Sequence, residues 1–148
     1  MLLLGTPVFS DFRKQKLIEK IQKIDHKFSD FSAYYCYLLQ LRNPINQALL
    51  NHLCDILHAE LSDMLSNFDC IIVPRIGTIS PWSSKATDIL QHCGFAGLIR
   101  IERGIIYQYP LPNSKTIECC LFDPLTETVL HDIKQVGQYF LQLSPQPM

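Results

Sequence analysis

The chain reads as an α+β sandwich, with helices packed on a largely antiparallel sheet. Three observations carry that reading. Short apolar runs that suit strands alternate with longer stretches whose apolar residues recur at helical spacing. The clearest run, Cys70-Ile71-Ile72-Val73, is short and uninterrupted, as a buried strand requires. The clearest helical stretch places Ala86, Ile89, Leu90 and Cys93 at i, i+3, i+4 and i+7, on one helix face. The resulting order is strand, helix, strand, helix, strand, helix, strand.

Taken from the start, Met1–Leu4 suits a short strand. Ser10-Asp11 can cap a first helix with Leu17, Ile18, Ile21 and Ile24 on its apolar side. Phe31–Leu41 suits a long buried strand, and its Tyr34, Tyr35 and Tyr37 read as core and sheet surface. Asn43-Pro44 breaks the chain. A second helix then runs to about Leu65, with Ile45, Leu49, Leu53, Ile56 and Leu57 at helical spacing. The Cys70–Val73 strand ends at Pro74, which has no N–H for a ladder, and Gly77 permits a turn. Ser83 or Ser84 caps the next helix, which stops at Cys93-Gly94. Leu98–Arg103 alternates Ile99 and Ile101 with Arg100 and Glu102, as a half-buried strand does. Gly104 marks a bulge or turn before Ile105–Tyr109 continues as strand. Pro110, Pro112 and Asn113 make a loop. Thr126–Val129 forms a last strand piece and Asp132–Leu141 a last helix. The tail from Ser144 to Met148 has a linker's composition, so the domain is placed at 1–142 and the start of a linker at 143–148.

With 148 residues, the chain fits one domain that needs no disulfide staple. An apolar fraction of 47% and a charged fraction of 18% suit a soluble globular protein. A formal net charge of −1 gives no electrostatic case for nucleic acid. The cluster Arg13, Lys14, Lys16, Lys20 and Lys23 reads as the solvated face of the first helix. The N-terminal leucines break at Gly5, too early for a signal core, and no apolar run reaches the roughly 18 residues of a membrane span. Cys36, Cys54, Cys70, Cys93, Cys119 and Cys120 form no CxxC pair and suit free thiols in a reducing cytosol. His52 and His58 are six apart on one helix, hence on different faces, which disfavours a shared metal. His26 and His92 have no sequence partner that argues for catalysis.

The stretch from Pro74 to Asp88, PRIGTISPWSSKATD, holds the only tryptophan and opens a helix. Two readings compete. Free N–H groups at the helix start, the serine hydroxyls, Lys85 and Arg75 could hold an anion. The plainer reading is a capped helix behind a structured loop, with Trp82 as a packing anchor. A Ser-x-x-Lys nucleophile ahead of Lys85 would need serine where Trp82 stands.

GTISPWSSKATDI, from Gly77 to Ile89, resembles the signature loop in the N-terminal domain of large-type phosphoribosylformylglycinamidine synthase. GTPVFSDFRKQKL, Gly5 to Leu17, is similar to the family's GSPALSxFRxxKL opening. IRIERGIIY, Ile99 to Tyr107, resembles NRLERGxxY, and LFDPLTETV, Leu121 to Val129, resembles LHDRMTExV. In the last segment Asp123, Thr126 and Glu127 match, while Phe122, Pro124 and Leu125 stand where the family has His, Arg and Met. The resemblance implies a ferredoxin-like, PurS-like fold. It implies a part of the glutamine-dependent ligase that makes formylglycinamidine ribonucleotide in purine synthesis. That enzyme's ATP, magnesium and glutaminase cysteine belong to domains C-terminal to such a segment, so no cofactor and no catalytic residue is expected here.

The implied role is assembly: docking on the synthetase domain and helping close the path for ammonia to the glutaminase domain. Arg75, Ser80, Trp82, Ser83, Ser84, Lys85, Thr87 and Asp88 are the expected interface, with Arg100, Glu102 and Arg103 as a second patch. Bare pattern reads the Arg-Glu-Arg strand as a solvated face. A free-standing PurS-like subunit or ferredoxin-like ligand-binding module is the alternative. A small enzyme using Ser83 or Ser84 with Lys85 is a further one. An exposed sheet edge would let the isolated domain form a homodimer. A cytoplasmic location follows from the family.

Overall fold

The computed structural model describes residues 2–24, 30–61, 68–75, 79–109 and 121–143. In order they form β1 (Leu2–Pro7), α1 (Asp11–Gln22), β2 (Ser32–Leu41), α2 (Gln47–Leu57) and β3 (Cys70–Pro74). Then come α3 (Pro81–His92), β4 (Leu98–Gln108), β5 (Glu127–Leu130) and α4 (Ile133–Leu143). The strands lie in one sheet in the order β1-β2-β4-β3-β5, and every neighbouring pair is antiparallel. This is the α+β arrangement the sequence predicts, consistent with a ferredoxin-like sandwich. Among the described residues no helix is long and apolar enough to cross a membrane.

Both faces of the sheet are buried, which is why β3 reads as an unbroken apolar run. On β2 and β3, Leu38, Cys36, Ile71 and Val73 point to one side, where Val136 and Tyr139 of α4 pack on them. Ala33, Cys70, Ile72 and Tyr107 point to the other side, under Ile18 and Ile21 of α1. On that same side Tyr37, Leu39 and Ile101 meet Leu53 of α2 and Leu90 of α3. Each fully buried Leu or Ile contributes roughly 2 kcal/mol, so three such clusters hold the helices with no disulfide among the described residues.

The caps explain where the helices begin. Ser10 accepts a hydrogen bond from Arg13 N, as expected for α1. Asn46 accepts from Leu49 N at the start of α2. α2 ends at Leu57 rather than near Leu65, because His58 turns into the left-handed region at φ 52° and caps it. Residues 62–67 lie outside the described residues, as do Gly77, His26, the Pro110–Asn113 loop, Cys119, Cys120 and the tail from Ser144.

Two further expectations about these elements need correction. α3 starts at Pro81 and is capped by Ser80, not by Ser83 or Ser84. Proline at the first helical position costs nothing there, since its missing N–H would have no helical partner anyway. Gly104 is neither bulge nor turn: it pairs with Cys36 inside a continuous β4. Its need is space. A β-carbon there would lie 2.8 Å from both the Ile72 carbonyl oxygen and Val73 Cγ1. The irregularity falls instead near Ile99, where Gln40 faces Arg100 while Leu41 faces Leu98. That extra residue leaves Ile99 43% exposed.

Candidate interaction site

β4 is eleven residues long, but β3 pairs only with its Ile105, Ile106 and Tyr107. Among the described residues, the stretch from Leu98 to Arg103 therefore has β2 on one side and no strand on the other. Backbone groups on such an edge need partners. α3 supplies them with side chains. Ser83 Oγ donates to the Ile101 carbonyl at 2.5 Å, Thr87 Oγ1 accepts from Ile101 N at 3.1 Å, and Gln91 Nε2 donates to the Leu98 carbonyl at 2.8 Å. Residues 83, 87 and 91 are four apart, so they form one stripe along the helix. The helix stands in for a missing strand.

A buried ion pair sits at the start of this stripe. Arg100 and Glu102 are 9% and 1% exposed and meet at 2.9 Å between Nη2 and Oε2. The solvated face expected for the Arg-Glu-Arg strand is thus corrected for these two residues. Both sit under the α3 N-terminus and near Tyr139 of α4. Arg100 Nε also donates to Ser83 Oγ at 3.3 Å. Glu102 Oε1 accepts from Ser80 Oγ at 2.8 Å and from Arg103 N at 3.1 Å, which satisfies one more edge N–H of β4. Ser80 meanwhile caps α3 by accepting from Ser83 N at 3.0 Å. A buried charge pair repays its desolvation only with such additional hydrogen bonds, and this one has them.

The arrangement bears on the two readings of this stretch. A carboxylate, Glu102, lies at the α3 N-terminus, and Ser80 fills the cap. The helix is capped as the plainer reading expects, while residues 76–78 of the loop lie outside the described residues. Ser83 is fully buried with its hydroxyl committed, whereas Ser84 and Lys85 are exposed on neighbouring helix positions. Among the described residues, neither Ser83 nor Ser84 forms a hydrogen bond with Lys85. Thr87 is half-buried, and Asp88 is exposed beside His92. Arg75 is exposed; its N–H bonds to the Thr126 carbonyl at 2.9 Å and its Nη1 to the Leu125 carbonyl at 3.5 Å.

That Leu125 turn is itself built from the matching residues of the LFDPLTETV segment. Asp123 Oδ1 accepts from Leu125 N, and Glu127 Oε1 accepts from Asp123 N. The differing residues do other work: Phe122 packs beside the α1 cluster, and Leu125 is 77% exposed.

Above the polar network lies a half-exposed aromatic face. Trp82 stacks on Tyr37 with ring centroids 5.8 Å apart. The Arg103 guanidinium carbon sits 4.7 Å from the Tyr35 ring centroid and 5.0 Å from that of Trp82. Burial pushes the Tyr37 phenol up, with Arg103's charge pulling partly the other way. Sequence reasoning missed that Tyr35 and Tyr37 belong with Trp82, because they are nearly fifty residues away in the chain. The one available signal was the length mismatch between the apolar run of β3 and the longer β4.

Among the described residues no histidine or cysteine belongs to this network. His52 is exposed and stacks on Phe95 at 5.7 Å, and Cys36 and Cys70 are buried thiols outside any disulfide. Burial raises the Cys36 thiol far above its ordinary range.

A family model described as Formylglycinamide ribonucleotide amidotransferase N-terminal matches residues 34–140. The matched span includes the α3 stripe, the Arg100–Glu102 pair and the Trp82 face. The chain therefore belongs to that family, the N-terminal domain of formylglycinamidine ribonucleotide synthase.

Proposed function

We propose that this chain is a non-catalytic assembly domain of the ATP- and glutamine-dependent ligase that converts formylglycinamide ribonucleotide to formylglycinamidine ribonucleotide. It docks on the synthetase domain through the face around Trp82 and helps close the path along which ammonia travels from the glutaminase domain. ATP and magnesium act in those other domains, and the segment alone turns over nothing. The observation that carries this reading is the division of labour in the signature segment. Ser80, Ser83 and Thr87 face inward and fix the helix on β4, while Trp82 and Arg103 remain half-exposed above them. A rigid aromatic and arginine patch is the kind of surface that anchors an interface. Ser84 and Lys85 lie on the rim.

The test is binding of the 148-residue chain to a separately produced synthetase portion. Wild type should bind, and Trp82→Ala should fold with unchanged far-ultraviolet circular dichroism but bind at least about tenfold more weakly, as truncation of a hot-spot residue does. Equal binding by the variant would make the face merely structural.

A further inference from the structure

We infer that Arg103, held over the rings of Tyr35 and Trp82, is a receptor for a carboxylate side chain on the protein surface that covers this face. The guanidinium carbon lies over both rings, 4.7 Å from the Tyr35 centroid and 5.0 Å from that of Trp82. A cation–π contact of this kind uses the ring faces and occupies no N–H acceptor, so the guanidinium keeps its donors. Among the described residues no carboxylate or carbonyl takes those donors. The nearest acid in sequence, Glu102, is already shared among Arg100, Ser80 and the Arg103 backbone. Arg103 is thus a half-exposed cation set against two rings, and among the described residues its side-chain donors have no hydrogen-bond partner.

Charge and shape name the occupant. The Arg100 charge is matched by Glu102, so the face carries the uncompensated charge of Arg103. Lys85, exposed and one turn along α3 from Trp82, adds another. The complement is acidic, and a carboxylate can take two parallel N–H bonds from the planar fork. Tyr35, Trp82 and Arg103 are all half-exposed on an open face. A free small anion would stay mostly in water there, whereas ligand pockets enclose most of their ligand. An aspartate or glutamate borne on a docking surface brings its own water exclusion. Which surface bears it rests on the docking proposed above; the Arg103 site itself does not.

Trp82 is the only tryptophan, so its fluorescence reports on this site alone. A short glutamate-bearing peptide should change the emission saturably, and its glutamine counterpart should not. Arg103→Met should weaken the response at least about tenfold. Arg103→Lys, which keeps the charge but loses the fork, should weaken it too, with circular dichroism confirming the fold of both. A response unchanged in Arg103→Met, an equal response to the glutamine peptide, or none in wild type would overturn the inference. If the peptide response stands while the chain fails to bind the synthetase portion, the Arg103 site survives and the docking proposal falls.

Discussion

Gly104 sits where β3 leaves no room for a side chain, and the cost of adding one can be stated. Gly104→Ala would force a β-carbon to 2.8 Å from a backbone oxygen that is fixed in the sheet. Overpacking of this kind costs about 1–3 kcal/mol, measurable as a lower urea midpoint. Glu102 makes the complementary case, loss rather than excess. Glu102→Gln removes the charge that balances Arg100 and loosens the Ser80 contact. Breaking one side of a buried pair costs about 3–5 kcal/mol, while replacing both sides by apolar groups costs less. Chemical denaturation of Glu102→Gln, Arg100→Met and the Arg100→Met/Glu102→Leu double should therefore show the double more stable than either single. If the three variants lose the same amount, the pair is not coupled as described.

At the scale of elements, α3 replaces a strand, and its stripe can be tested position by position. Ser83→Ala leaves the Ile101 carbonyl and Arg100 Nε short of a partner, and Thr87→Val leaves the Ile101 N–H unsatisfied. Each should cost about 1–3 kcal/mol, well above the few tenths expected from helix propensity alone. Ser84→Ala, one position over and exposed, serves as the control and should change stability little. Amide exchange at Ile101 should accelerate in Thr87→Val and not in the control. The elements themselves are legible in the sequence because apolar periodicity reports burial. Their edges are less so. The Ser-Pro start of α3 is a capping signal hidden behind two further serines. The α2 stop depends on a histidine in the left-handed region, which composition does not announce. The Arg-Glu-Arg strand reads as solvated because its partners, Ser80 and Ser83, lie about twenty residues upstream. Pairwise satisfaction of buried charge cannot be read from local pattern.

For the whole molecule, the packing of α4 and α1 on opposite faces of the sheet predicts a pH response. Burial raises the phenols of Tyr107 and Tyr139 well above their ordinary range, and that of Tyr37 as well. In the unfolded chain these groups ionise from about pH 10, while in the folded chain they keep their protons. Stability is therefore fully present below about pH 10 and falls as pH rises beyond it. Tyr139→Phe should flatten part of that fall, at the expense of the 2.8 Å bond from its hydroxyl to the Pro74 carbonyl. Equilibrium unfolding across the alkaline range would read both effects.

The claim that joins residue, element and molecule is that a rigid inner network presents Trp82 to the synthetase portion and so helps confine ammonia. The most direct measurement adds this chain in trans to a synthase of the family lacking its own N-terminal segment. Activity is then compared with glutamine and with free ammonia as nitrogen donor. The account predicts that wild type restores glutamine-dependent turnover. Trp82→Ala should restore it poorly, while ammonia-dependent turnover changes much less. Equal restoration of both activities by Trp82→Ala, with the variant folded, would contradict it.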